Sequence, residues 1–193
     1  HDMIMLCDQD DHWNKDKIQK TANRMKQLIK VHGNKIPLLV STDVTVVDET
    51  MNVLNPSFRA MNHYQIRNMD LPHLLMENKV QGCTVMLNKS LAGMLDRLPR
   101  TAIMHDSWLA LIAVVFGRIT YIDEPTMQYR QHTDNLQGSI SYKEDVKNKF
   151  SNLGGQRQLV MKTTPQAAEF LKLYQNQIPE DSRRMLRAFA TLP

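Results

Sequence analysis

Asp8, Asp10 and Asp11 fall within four positions, between Cys7 and the pair His12-Trp13. Carboxylate oxygens spaced this closely suit a hard divalent cation such as Mg²⁺ or Mn²⁺, which in turn holds diphosphate oxygens. An EF-hand calcium loop is excluded, because Trp13 stands where that loop requires Gly and Gln19 where it requires a bidentate Glu. An alternative stays open: an acidic helix start, in which Asp10 and Asp11 merely complement the helix dipole.

Three further segments carry chemistry. In Met104-His105-Asp106-Ser107-Trp108-Leu109, an acid opens a strongly apolar helical pattern. Asp106 is either a helix N-cap or a general base. The run Tyr129-Arg130-Gln131-His132-Thr133-Asp134-Asn135 gathers a cation, an imidazole and amides. His132 is either a solvated loop residue or, as a neutral imidazole, a metal ligand. Gln81-Gly82-Cys83-Thr84 supplies small residues where a backbone could approach a sugar.

The elements that must position these groups follow from periodicity. Met3 to Leu6 is an unbroken apolar run, the pattern of a strand covered on both faces in a parallel sheet, whose neighbours would come from sequence before His1. The acidic cluster would then lie at a strand's carboxyl end, where open α/β sheets bind ligands. Ile18, Ala22, Met25 and Ile29 predict a helix ended by Gly33-Asn34. Leu38 to Val47 is rich in β-branched residues and reads as a strand, with a turn at Asp48 to Asn52 leading into another. Residues 56 to 78 read as loop with short helical pieces, Gly82 to Asn88 as a strand, and the stretch through Leu95 as a short helix. Trp108, Leu111, Ile112, Val115 and Phe116 define a helical face stopped by Gly117. Ile119 to Ile122 and Thr126 to Tyr129 read as two strands separated by Asp123-Glu124-Pro125. From Tyr142 the pattern is helical, with Thr164-Pro165 as a cap and first-turn pair and a break at Pro179. Alternating strands and helices with a helical tail indicate an α/β domain with a C-terminal helical extension.

Composition narrows the function classes. The chain has 193 residues, enough for one core, and its 42% hydrophobic and 23% charged content is that of a folded protein rather than a disordered one. No apolar stretch approaches the roughly 20 residues needed to span a bilayer, so the chain reads as cytoplasmic. Cys7 and Cys83 are too few for a disulfide framework or a zinc-type spacing. The net charge of +4 points to an anionic partner. Scattered cations without an RNA-binding or zinc-finger motif favour small phosphorylated ligands and exclude nucleic acid.

The order of these segments resembles family 2 glycosyltransferases of the GT-A fold, in particular the bacterial rhamnosyltransferase-like members that assemble surface polysaccharides. The resemblance is carried by CDQDDHW (7–13), STDVTVVDE (41–49), GCTVMLNKSL (82–91), MHDSWLALIAVVFG (104–117) and YIDEPTMQYRQHTDN (121–135). It implies a partial GT-A, Rossmann-like mixed sheet flanked by helices over residues 1–140, with 141–193 as the helical extension. Asp8-Gln9-Asp10 becomes the DxD motif. Asp10 is the direct ligand of Mg²⁺ or Mn²⁺, and Asp8, Asp10 and Arg130 hold the nucleoside-diphosphate sugar. Asp11 is a supporting acid, and His132 completes the metal site. Asp106 is the catalytic base, preceded by His105 where many members have Glu. Gly82, Cys83, His105 and Trp108 lie on the acceptor or sugar side.

The implied reaction is a single inverting displacement from a nucleoside-diphosphate sugar, with dTDP-rhamnose as the subgroup's donor, to a glycan or lipid-linked glycan acceptor. Family members carry their nucleotide-base-binding strands before the DxD motif, so a chain with only Asp2 to Cys7 ahead of it is expected to be an incomplete enzyme, inactive alone. Lys143, Lys147, Lys149, Arg183, Arg184 and Arg187 would offer a peripheral contact at the inner face of the cell membrane. Two other readings are a metal-dependent phosphohydrolase and a noncatalytic interaction domain.

Overall fold

The computed structural model describes residues 2–66, 69–95, 98–131 and 153–192. Two short strands, β1 (Met3–Met5) and β2 (His12–Trp13), precede helix α1 (Lys17–His32). Next come β3 (Leu38–Val47) and β4 (Val53–Asn55), then α2 (Phe58–Met61) and α3 (Leu71–Met76). A 3₁₀ turn at Gly82–Thr84 leads into β5 (Met86–Asn88), α4 (Lys89–Gly93), α5 (His105–Phe116) and β6 (Arg118–Arg130). Helices α6 (Leu153–Tyr174) and α7 (Glu180–Ala190) close the described chain.

The fold is mixed α/β. Its sheet runs β1-β5-β3-β6-β2, with β4 paired to the end of β3. Only β3 and β6 pair in parallel; every other pairing is antiparallel. β3 is the spine because its β-branched residues tolerate burial on both faces, and nearly all of it is buried. Successive strand side chains face opposite ways, so Leu38 and Val40 join Met25 of α1 in one cluster, while Leu39 belongs to a larger one. That larger cluster takes Trp108, Leu109 and Ile112 from α5, Phe170 from α6 and Leu186 and Phe189 from α7. Trp108 meets Phe170 edge-on at 5.3 Å between ring centroids, and Phe116 stacks on Phe170 at 6.0 Å. The C-terminal helices therefore share the core of the sheet domain.

Several expectations need correction. Met3 to Met5 is not a doubly covered parallel strand. Its partner is β5, antiparallel and within this chain, and Ile4 is 38% exposed. A short apolar run cannot distinguish a central strand from an edge strand, because both bury at least one face. The expected strand at Gly82 begins as a 3₁₀ turn, and only Met86–Asn88 is extended. The two strands expected around Asp123-Glu124-Pro125 are one strand, β6. Its register against β3 slips between Thr42↔Ile122 and Asp43↔Pro125, so the extra residues bulge and Pro125 is accommodated without a ladder N–H. Pro165 lies inside α6 rather than in its first turn; near it the hydroxyls of Thr163 and Thr164 turn back onto the Val160 carbonyl.

Other elements follow their sequence signals. Gly33 ends α1 at φ 78° with its N–H on the Ile29 carbonyl. Asp48 organises the β3–β4 turn by accepting from the Thr50 and Asn52 backbone N–H groups. No described helix is long and apolar enough to cross a membrane.

Gly117, at the end of α5, is fixed by packing rather than by backbone conformation. A Cβ there would overlap the carbonyl of Pro37, which accepts the Arg118 N–H at 2.9 Å and starts the β3–β6 ladder. Gly117→Ala is expected to destabilise by about 1–3 kcal/mol, the usual cost of overpacking. Gly93→Ala, where a Cβ meets nothing within 4 Å, should leave the thermal midpoint unchanged or raise it. Thermal denaturation of the two variants checks this.

Candidate functional site

The 3₁₀ turn Gly82–Thr84 joins the chemistry-bearing segments through three successive residues. Gly82 donates its backbone N–H to Asp106 Oδ2 at 3.0 Å. Cys83 contributes its sulfur to a group with carboxylate oxygens of Asp8 and Asp11, all within 4.8 Å of one another. Thr84 shares a 2.8 Å hydrogen bond with Ser41 of β3, tying the turn to the sheet. A Cβ at position 82 would stand 2.5 Å from His105 Nε2 and 3.4 Å from Asp106 Oδ2, so the His105 ring occupies the space that glycine leaves.

Asp106 lies in the first turn of α5, whose N-cap is Met104, so it is not the capping residue. It is 8% exposed. Its Oδ1 accepts from Asn78 Nδ2 at 3.0 Å and from the Ser107 N–H at 2.6 Å. Burial raises its pKa, against the lowering influence of His105 and the backbone N–H groups of Ser107 and Gly82. Behind it, Gln166 of α6 donates to Ser107 Oγ at 2.9 Å and accepts the Ile103 N–H at 2.9 Å, so α6 braces the start of α5.

The acidic loop is positioned by two antiparallel ladders. On one side, β1 pairs Met5 with Met86, and the Leu6 N–H continues the ladder to the Val85 carbonyl. That register delivers Asp8 beside Cys83. On the other side, β2 pairs His12 with Gln128 and Trp13 with Met127. This ladder brings the Arg130 backbone N–H near Asp11. Helix α1 begins only at Lys17, so Asp10 and Asp11 are not the acids of a helix start.

Asp11 carries the sharpest electrostatic signature. Both carboxylate oxygens are buried and receive no hydrogen bond of normal geometry. Burial pushes its pKa up to about 6, with the charges of Asp8 and Asp10 adding to the effect and the nearby Arg130 backbone and Cys83 side chain opposing it. Burial, then the Asp11 and Asp8 charges, drive the Cys83 thiol up in turn. Tyr129 is raised to about 12 by burial and the same acidic surroundings. By contrast Asp43, 1% exposed, is fully served: it accepts from the Val44 and Arg59 N–H groups and from Ser57 Oγ. An unserved buried carboxylate costs stability unless a cation or proton completes it. Two carboxylates suit a hard divalent ion such as Mg²⁺ or Mn²⁺, whereas a cysteine sulfur suits a softer one such as Zn²⁺.

The residues expected from sequence divide accordingly. Asp8 falls in the group of neighbouring donor atoms with Asp11 and Cys83, and Asp10, expected as the direct ligand, lies outside that group. Arg130 ends β6 and donates to Met51 Sδ at 3.1 Å. His105 is half-buried against Gly82. Trp108 is 1% exposed in the core, away from any ligand-facing surface. His132 lies outside the described residues, as do Lys143, Lys147 and Lys149. Arg183 and Arg184 of α7 pair with Glu180 and Asp181. The sequence reading missed Cys83 as a neighbour of the acids, and it missed Lys17, whose side chain is wholly buried against Thr126, Met127 and Trp13. The one local hint at Lys17 was a cation at a helix N-terminus, where the dipole opposes it.

No protein-family model matches the chain, and no curated protein matches it significantly.

Asp11 makes the metal-free protein pH-sensitive with a definite sign. Its folded pKa of about 6 lies above the unfolded value of 3.8, so the folded state binds the extra proton and stability falls as pH rises through that window. Asp11→Asn should therefore match wild type below about pH 4 and melt higher above about pH 6 in chelator-treated buffer. Differential scanning fluorimetry across that range measures it.

Proposed function

We propose that this chain is the metal-binding and base-bearing part of an inverting glycosyltransferase of GT-A type, acting on a nucleoside-diphosphate sugar. The observation that carries the reading is the Gly82–Cys83 step, where one residue contacts a buried carboxylate and the next joins a cation-type donor group. The resemblance of the surrounding segments to family 2 enzymes, with a rhamnose donor and a glycan or lipid-linked acceptor, supports the same reading. Asp8, Asp11 and Cys83 would hold the ion, with Asp10 and Arg130 beside it toward the diphosphate. A bound Mn²⁺ or Mg²⁺ supplies charge neutralisation for the departing diphosphate.

Asp106 is suited to proton removal. Oδ1 is occupied by Asn78 and Ser107, whereas Oδ2 accepts the Gly82 N–H and retains a lone pair for an acceptor hydroxyl. Its raised pKa makes it a stronger base than an exposed aspartate. The acceptor O–H proton passes to Oδ2 as the acceptor oxygen bonds to the anomeric carbon. The bond from that carbon to the diphosphate oxygen breaks on the opposite side, and the nucleoside diphosphate leaves with the electron pair. Arg130 offsets charge growing on it.

Calorimetry with nucleoside diphosphates and their sugars, with and without Mn²⁺, tests the binding half. Metal-dependent binding lost in Asp8→Ala and Asp11→Ala is expected. Asp106→Asn, made in an enzyme that also carries the nucleotide-binding strands, should retain that binding and lose transfer by about 10²–10⁴-fold, the usual worth of a general base. Transfer at near-normal rates in Asp106→Asn would remove the base. Release of phosphate from simple esters would replace the reading with a phosphohydrolase, and absence of binding by the folded protein would favour a noncatalytic interaction domain.

A further inference from the structure

The chain's surplus of positive charge is concentrated in one stretch. From Lys17 to Thr42 the sequence contains six Lys or Arg and no Asp or Glu, and with those six set aside, 18 of the 24 Lys and Arg remain against 20 Asp and Glu. Helix α1 carries five of the six, and Lys35 follows in the turn after it. Lys17 is buried, and Lys20 is paired with Asp16 and Glu124. Arg24, Lys26, Lys30 and Lys35 are exposed, and among the described residues no carboxylate lies within ion-pair distance of any of them. The helical period sets Lys30 near the centre of the face turned away from Met25, with Lys26 on one flank and Arg24 and Val31 on the other. Val31 is 73% exposed among these cations.

Solvation alone does not select this pattern. Glu forms helix about as well as Lys, and Glu–Lys pairs one turn apart stabilise a surface helix, so a face that met only water would mix the two signs. The C-terminal helices do mix them: Lys172 pairs with Glu169, Arg183 with Glu180 and Arg184 with Asp181. The helix dipole favours Lys30 in the last turn but gives no reason for Arg24 and Lys26 in the middle of the helix. We propose that the outer face of α1 is a docking surface for an anionic lipid bilayer, with Arg24, Lys26, Lys30 and Lys35 at the lipid phosphates and Val31 in the apolar layer beneath them. A bilayer offers both chemistries on one surface, whereas a nucleic-acid backbone would pair the cations and leave Val31 in water. This is a different surface from the C-terminal one expected from sequence. Met25 of α1 packs with Leu38 and Val40, whereas Leu186 and Phe189 of α7 share the cluster of Leu39, so the two helices lie on opposite faces of the sheet. A bilayer that meets α1 leaves α7 in water.

Flotation of the chain with vesicles needs no sugar nucleotide, so its outcome is independent of the proposed function. Binding is expected to vesicles of phosphatidylcholine containing about one-third phosphatidylglycerol, not to phosphatidylcholine alone, and should weaken as salt rises. Lys26→Gln combined with Lys30→Gln should lower the partition coefficient about 25-fold, roughly fivefold for each cation. Val31→Ser should lower it about threefold to tenfold and leave the salt dependence unchanged. Arg184→Gln combined with Arg187→Gln should stay within about twofold of wild type. All of these positions are exposed or half-buried, and thermal midpoints confirm that each variant is folded. Absence of binding to the anionic vesicles, equal binding to both vesicle types, or equal losses from the α1 and α7 pairs overturns the α1 surface. Binding of a single-stranded oligonucleotide but not of anionic vesicles overturns it as well, and makes α1 a nucleic-acid surface instead.

Discussion

The arrangement of this protein depends on one short contact, the backbone N–H of Gly82 donated to the buried carboxylate of Asp106. The bond serves a carboxylate withdrawn from water, and the lack of a side chain at position 82 lets His105 and the carboxylate close over the turn. Because the turn is a single 3₁₀ unit, fixing Gly82 also fixes Cys83 against the acids and Thr84 against Ser41. Helix α5, the sheet and the acidic loop are thereby registered to one another by three consecutive residues. A Cβ at position 82 would first displace the His105 ring.

Burial and hydrogen bonding are distributed unevenly among the acids near this turn. Asp43 is 1% exposed, yet backbone and side-chain donors meet both of its oxygens. It anchors the start of α2 and asks for nothing further. Asp106 is mostly served, with one lone-pair direction left. Asp11 is half-buried, with both carboxylate oxygens shielded from water and without hydrogen bonds of normal geometry, and the charges of Asp8 and Asp10 act on it. A fold that tolerates such a cluster loses stability locally, and the loss is offset by the well-packed helical side of the sheet.

That helical side reaches the site as well as balancing it. The aromatic contacts of Trp108, Phe116, Phe170 and Tyr174 join α5 to α6. Gln166 then carries the attachment to Ser107, the residue after Asp106, through hydrogen bonds at both ends of its amide. The C-terminal helices thus act on the site through positioning. Trp108, which stands two residues from the buried acid in sequence, is spent on this packing and is not free to meet a ligand.

Local patterns in the sequence determined the elements that are long and internally consistent. The period of apolar residues marked α1 and α5, β-branching marked β3, and Gly33, Gly117 and the Asp48 turn marked their limits, because each of those preferences acts within a few residues of chain. The chemistry-bearing segments were legible in the same way: three closely spaced acids, and an acid opening an apolar helix. What only tertiary structure decided was which of these groups meet. Asp11 rather than Asp10 lies beside Asp8, Cys83 joins them, Lys17 is buried against Thr126 and Met127, and Trp108 turns into the core. Those choices depend on pairing registers between strands separated by some eighty to one hundred and fifteen residues, β1 with β5 and β2 with β6. A shift of one residue in the β1–β5 ladder would bring Cys7 or Gln9 in place of Asp8 opposite Cys83, and no local preference of the chain encodes that register.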